Sequence, residues 1–319
     1  MKSPVCFASR RRAMRNQGRD PGVVSAIGAA ACWGSATVMS KGALDALPPI
    51  TLLVIKLLTS CAFLWLVTLV RGLSIPPVQV ALKFGPTGLL EPGLAYSIGL
   101  IGMSMTSASS ASLLQATEAV MIVGFAALIL GERIGGRTMA VMAVALIGVA
   151  MVAGFDGAME LGPNPLVGNL LILIGIGCAA LYVVLSSRLV VDTDPLVLLA
   201  VQQSFGFVFA LLIWPLEISA DTWDILGNLP APLWSLAMLS GLVQYAFAFW
   251  LYLTALKTLP ASFAGQFLNL TPLFGVGGAF AFLGEQLARS QWLGAAVLLG
   301  AIFLLHRMRD STAPGEPAK

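Results

Sequence analysis

Three charged side chains stand deep inside apolar runs: Lys56, Glu91 and Glu118. A charge at the centre of a membrane helix costs about 2.5–3.5 kcal/mol on insertion scales, so each is a candidate for function. Two acids and one base leave roughly one negative charge unbalanced if all three ionise, which is expensive at low dielectric. The surplus carboxyl is then protonated, or paired with a cationic group of a substrate, or alternates between the two. The last case couples proton movement to substrate movement. The structural alternative is that Lys56 bridges one glutamate while the other stays neutral.

Polar and aromatic residues at helical spacing surround these charges. Gln115 and Glu118 continue a stripe begun by Ser107 and Ala111, with steps of three or four residues along one helical face. Ser262, Gln266 and Asn269 form a second stripe. Both face protein or water rather than lipid, either lining a cavity or hydrogen-bonding between helices. Tyr245, Phe249 and Tyr252, at i, i+4 and i+7, form either an aromatic wall for a substrate or ordinary core. Trp33 opens a Trp-Gly pair beside a small-residue ridge of Ala26, Ala30 and Gly34, which permits close helix approach. Gly275, Gly277 and Gly278 follow Pro272 and invite a bend there. Lys41 lies near a span end and snorkels; the stem of Lys56 is long enough to do the same.

The elements that must position these groups follow from composition. Of 319 residues, 58% are hydrophobic and only 10% charged, whereas a soluble domain is about 45–50% apolar and about 25% charged. That balance excludes a soluble enzyme, a disordered chain and a nucleic-acid-binding protein. Cys6, Cys32, Cys61 and Cys178 are scattered and make neither a disulfide framework nor a metal site. At roughly 20 residues per crossing, the apolar runs place ten spans near 22–43, 50–70, 84–105, 108–130, 136–155, 166–187, 196–215, 233–256, 260–283 and 290–306. The basic run before the first span has no cleavage pattern after it, so that span is retained. With ten spans and both termini cytoplasmic, fifteen Lys and Arg fall in cytoplasmic segments and only Arg289 falls outside. That is the asymmetry the positive-inside rule expects.

The chain also repeats itself. Ala126–Glu132 reads AALILGE and Ala279–Glu285 reads AFAFLGE, and at this offset residues 95–148 and 248–301 share 14 identities in 54 positions. Ala-Ser-x-Ala recurs at 108–111 and 261–264. The repeat sets Gln244 opposite Glu91 and Thr271 opposite Glu118; a slightly shorter offset sets Gln202 opposite Lys56. The second half thus keeps hydrogen-bonding groups without the charge. Five spans per half is odd, so the halves, residues 22–160 and 161–306, are inverted relative to each other. A basic tail (1–21) and a short tail (307–319) flank them. The fold class is all-α integral membrane: ten transmembrane helices as two inverted five-helix repeats. Glu132 and Glu285 close helix ends, and His306, the only histidine, lies at a span end.

Two five-span halves, each with a fourth span ending Leu-Gly-Glu, resemble the drug/metabolite transporter superfamily, EamA-like branch. Trp33-Gly34, the two Ala-Ser-x-Ala segments, Pro272, Leu130-Gly131-Glu132 and Leu283-Gly284-Glu285 carry the resemblance. Ala119 stands where the second half has Pro272, and Lys56 where the family often has an arginine. The resemblance implies a carrier of small metabolites, amino acids or drugs, often an exporter, in the bacterial inner membrane. It also implies that spans one, three, four, six, eight and nine line the pathway. A proton-coupled, alternating-access exporter of an amino-acid-like or drug-like metabolite follows. In it Glu91 is the proton- or amine-binding carboxyl, and Lys56 tunes it or holds a substrate carboxylate. The expected partners are this substrate and the lipid bilayer, with no nucleic acid, no obligate protein partner and no cofactor. No H-E-x-x-H, P-loop or Gly-x-Ser-x-Gly motif points to an enzyme. A lipid-linked substrate, or a membrane protein that transports nothing (a lipid-modifying enzyme or a scaffold), remains open.

Overall fold

The computed structural model describes residues 21–105, 114–115, 117–131, 135–153, 164–275, 277, 292–294, 296–297, 299–301 and 303–304. Helix α1 spans Pro21–Leu44, α2 Pro49–Val70 and α3 Val78–Phe84, while α4 spans Ala95–Met105, α5 Thr117–Phe125 and α6 Gly136–Ala153. In the second half α7 spans Pro165–Leu189, α8 Pro195–Ile213, α9 Ala220–Asn228, α10 Ala231–Gly241, α11 Ala248–Leu256 and α12 Ala261–Gln266. Among the described residues, five helical stretches are long and apolar enough to cross a membrane: Pro21–Leu44, Pro49–Val70, Leu166–Leu189, Pro195–Leu216 and Ala231–Leu256. Leu89–Met105, Thr117–Leu130 and Met139–Gly148 are shorter apolar helices. Large apolar side chains such as Leu66, Leu69, Ile147, Ile174 and Leu212 stay exposed on the outside of the bundle, as a lipid-facing surface requires. Glu132, Glu285, His306, Ser107 and Ala111 lie outside the described residues, as do most of the two Leu-Gly-Glu segments.

Among the described residues, four spans depart from the continuous helices expected of them; the fourth span ends in a wide turn over Ala126–Leu130. The third is interrupted at Glu91, whose φ −146° and ψ 125° are extended. Its cause is local: Pro92 follows, and a residue before proline is pushed out of the α region. A wide turn over Leu89–Leu94 then leads into α4. The eighth span carries a matching wide turn, Leu242–Phe247, between α10 and α11. The ninth tightens into a 3₁₀ turn over Phe267–Leu270. That irregularity lies ahead of Pro272, because the proline ring crowds the carbonyl four residues earlier and offers it no N–H; the run Gly275, Gly277 and Gly278 lies partly outside the described residues.

Matched packing recurs across the chain. Helix α4 lies along α7, and α11 lies along α1. Gly88 meets the backbone of Gln202, and Gly241 meets the backbone of Lys56. A side chain at either glycine would collide with main chain, so both helix pairs cross at bare backbone. Gly34 packs in the same way against the Thr271 carbonyl and Gly275, which gives the Ala26, Ala30 and Gly34 ridge its packing role.

The loop after α8 holds structure that hydropathy does not show. Pro48 offers α2 no side-chain cap. Glu217 supplies one from a distance: it accepts from Ile50 N at 2.9 Å, Thr51 N at 2.6 Å and Thr51 Oγ1 at 2.9 Å. A carboxylate there satisfies two orphan N–H groups and complements the helix dipole. Helix α9 follows, started by a Ser219–Thr222 capping box.

Candidate functional site

The interrupted spans meet around one cavity of about 100 Å³. That is room for several waters or a small polar head group. Among the described residues, its walls come from six segments: α1, the third span, Gln115 with α5, α7, the eighth span and the ninth. These are the six spans the resemblance implies.

Glu91 and Glu118 both line this cavity. Glu91 is 5% exposed and sits at the break in its span. Gln115 and Thr271 are further polar lining residues. Trp33, Phe249 and Tyr252 line the same cavity. The indole meets Phe249 edge-on at 5.1 Å and Tyr252 at 5.3 Å. Tyr96 and Tyr182 also line the cavity, while Tyr245 stacks behind Phe249 and meets Tyr96 edge-on at 4.7 Å. All four tyrosines of the chain therefore converge here.

Lys56 does not line the cavity and does not snorkel; it is 0% exposed. Its ammonium donates to Ser40 Oγ at 2.6 Å and to the Gln244 side-chain oxygen, and lies 5.2 Å from the centre of the Tyr245 ring. Gln244 and Ser40 do line the cavity, so the lysine stands one layer behind. It bridges neither glutamate; its partners are a hydroxyl, an amide and a ring. Because Gln244 Oε1 accepts from Lys56 and Ser40, the amide NH₂ is the end left for other partners. Lys41 reaches across to the Met103 carbonyl at 3.5 Å.

Gln202 is placed outside the cavity. It accepts from the Tyr182 hydroxyl at 2.9 Å and donates to Thr87 Oγ1 at 2.7 Å and Ser186 Oγ at 3.0 Å. It thereby braces α8 against α7 and the start of the third span. Gln266 and Asn269 are buried but absent from the cavity lining, and their side-chain oxygens have no partner among the described residues. Sequence reasoning missed Tyr96, Tyr182, Thr37 and Ser40. The scarcity of tyrosine was a usable signal, since each one lies in mid-span. Among the described residues, no group of three or more His, Cys, Asp or Glu could hold a metal.

The fold and site define a polytopic, all-helical membrane protein whose broken spans enclose a polar, acid-bearing cavity. The profile of the EamA-like transporter family matches residues 20–154 and 166–307, so the chain belongs to that family. Among similar proteins, the uncharacterized transporter YetK of Bacillus subtilis (strain 168) is 26% identical over 66% of this chain and 63% of its own length. The chain thus spans less than two thirds of YetK. The uncharacterized transporter YvbV of the same organism is 25% identical over 86% of this chain and 88% of its own. An uncharacterized transporter of Archaeoglobus fulgidus is 25% identical, covering 85% and 92%. A protein solved by crystallography superimposes with a TM-score of 0.75 over 91% of this chain and 99% of its own, at 18% identity, which shows a shared fold.

Proposed function

We propose that this chain is a secondary active transporter that moves a small metabolite by proton-coupled alternating access, with no chemical step. The observation that carries the reading is a pair of buried carboxyls, Glu91 and Glu118, sharing one intramembrane cavity. No lysine, arginine or histidine appears among its described lining residues. Carboxyls so placed exchange protons as the cavity opens to one side and then the other. Tyr96, Tyr182 and Tyr252 face the same space, and Lys56 stands behind Gln244. Family membership and the relatives' names support transport; export in a bacterial inner membrane is the direction the resemblance implies.

Two inverted five-span halves, residues 22–160 and 161–306, would rock around the cavity. The paired glycine crossings and the matched wide turns support this arrangement. The distribution of Lys and Arg supports an orientation with both termini in the cytoplasm. The test is flux in proteoliposomes of the full chain, with a metabolite panel and an imposed pH gradient. Glu91→Gln abolishes gradient-driven flux while the melting profile stays near that of the parent protein. Undiminished flux in a folded Glu91→Gln protein overturns the coupling.

A further inference from the structure

The cavity's charges and rings select among metabolites. Two carboxyls and the rings of Trp33, Phe249 and Tyr252 line the same space, the three rings in contact with one another through Trp33. Lys56, the base expected to hold a substrate carboxylate, is turned away and engaged by Ser40, Gln244 and the Tyr245 ring. A zwitterion entering here would find a match for its ammonium and, among the described lining residues, no base for its carboxylate. An uncompensated charge at low dielectric is costly. A ligand with an ammonium and no acid group pays no such penalty. Aromatic faces add to the preference, because a desolvated cation is drawn to the negative face of a ring, to indole most of all. Two donors in this wall, the Trp33 indole N–H and the Tyr252 hydroxyl, are buried without a partner among the described residues. Either could be met by a neutral acceptor on the ligand.

The geometry points to a binding site for the head group of an organic ammonium ion with an apolar or aromatic body, the head seated in the cavity that Glu91, Glu118, Trp33, Phe249 and Tyr252 line. This rests on the transport reading for the ligand's route to the cavity, but the binding itself does not require flux. Within that reading, proton and ammonium compete for the same two carboxyls, so the occupant leaves as a proton arrives.

The experiment is equilibrium binding to the purified full chain in detergent, read by intrinsic tryptophan fluorescence and by thermal shift. Four probes share one aromatic body and differ in charge: phenethylammonium, 2-phenylethanol, phenylalanine and 3-phenylpropanoate. Phenethylammonium is expected to bind at least about tenfold more tightly than the other three. That advantage is expected to shrink in both Glu91→Gln and Glu118→Gln. Phenylalanine binding as well as phenethylammonium, a preference untouched by both variants, or no binding by any probe overturns the assignment. The comparison among probes uses the unmodified protein, so it survives a variant that fails to fold. Carboxyl-dependent ammonium binding without any flux in liposomes would keep the site and overturn the transport reading. Gradient-driven flux of a zwitterion with no ammonium preference would do the reverse.

Discussion

Gly241→Ala tests whether the bundle is built on bare-backbone crossings. A methyl built at Gly241 falls 2.6 Å from the Lys56 carbonyl oxygen, 2.7 Å from its Cα and 3.1 Å from its carbonyl carbon. Comfortable carbon contacts begin near 3.5 Å. Every clashing atom is main chain, so no rotamer change relieves the overlap; α2 and α10 must part by several tenths of an ångström. Overpacking of this kind costs roughly 1–3 kcal/mol. Against it stands the intrinsic gain of alanine over glycine inside a helix, about 0.5–1 kcal/mol. Gly124→Ala isolates that gain, because Gly124 is exposed in α5 with nothing within 4 Å of the added carbon. The difference between the two variants then reports the clash alone. In a thermal scan in detergent at fixed rate, Gly241→Ala is expected to melt several degrees below Gly124→Ala, the latter matching or exceeding the parent. Equal melting temperatures would refute the argument, because the helices would then have slack where the structure gives none.

Two further outcomes follow from side-chain bonds. Glu217→Ala removes three bonds from the start of α2 and is expected to cost about 1–2 kcal/mol, the range of a lost helix cap; the unfolding midpoint checks it, and no change would mean that water replaces the cap. Gln202→Leu strips partners from Tyr182, Thr87 and Ser186 and is expected to cost about 1–3 kcal/mol. Its apparent substrate affinity in liposomes should stay at the parent value; a large loss of affinity in a stable Gln202→Leu protein would place this glutamine in the pathway after all.

Hydropathy and charge suffice for much of this molecule. Runs of twenty apolar residues can be satisfied only by helices in lipid, so membrane class and the five long apolar helices among the described residues were legible in composition alone. The two carboxyls were legible for the same reason: nothing else in an apolar run costs so much. What one-dimensional pattern could not supply was direction. Lys56 and Gln202 sit in strongly apolar helices, and only the rotation of α2 and α8 decides whether they meet the cavity or a neighbouring helix. The break at Glu91 was written in Pro92, yet its value lay in the third dimension, where it turns a carboxyl into the cavity wall. Glu217 capping α2 joins residues far apart in sequence, and local rules for caps do not reach that far.

The convergence of all four tyrosines has a practical consequence. Tyr96, Tyr182 and Tyr252 line the cavity, and Tyr245 stacks directly behind it. A chain grown on fluorotyrosine would therefore carry four spectroscopic labels, all in the region of interest and none on the surface. Fluorine spectra recorded while pH is stepped, or while a ligand is added, would show events in the cavity without background from the rest of the protein. The number of states visible at each ring would count the conformations the cavity visits and their exchange rates, with no mutation introduced.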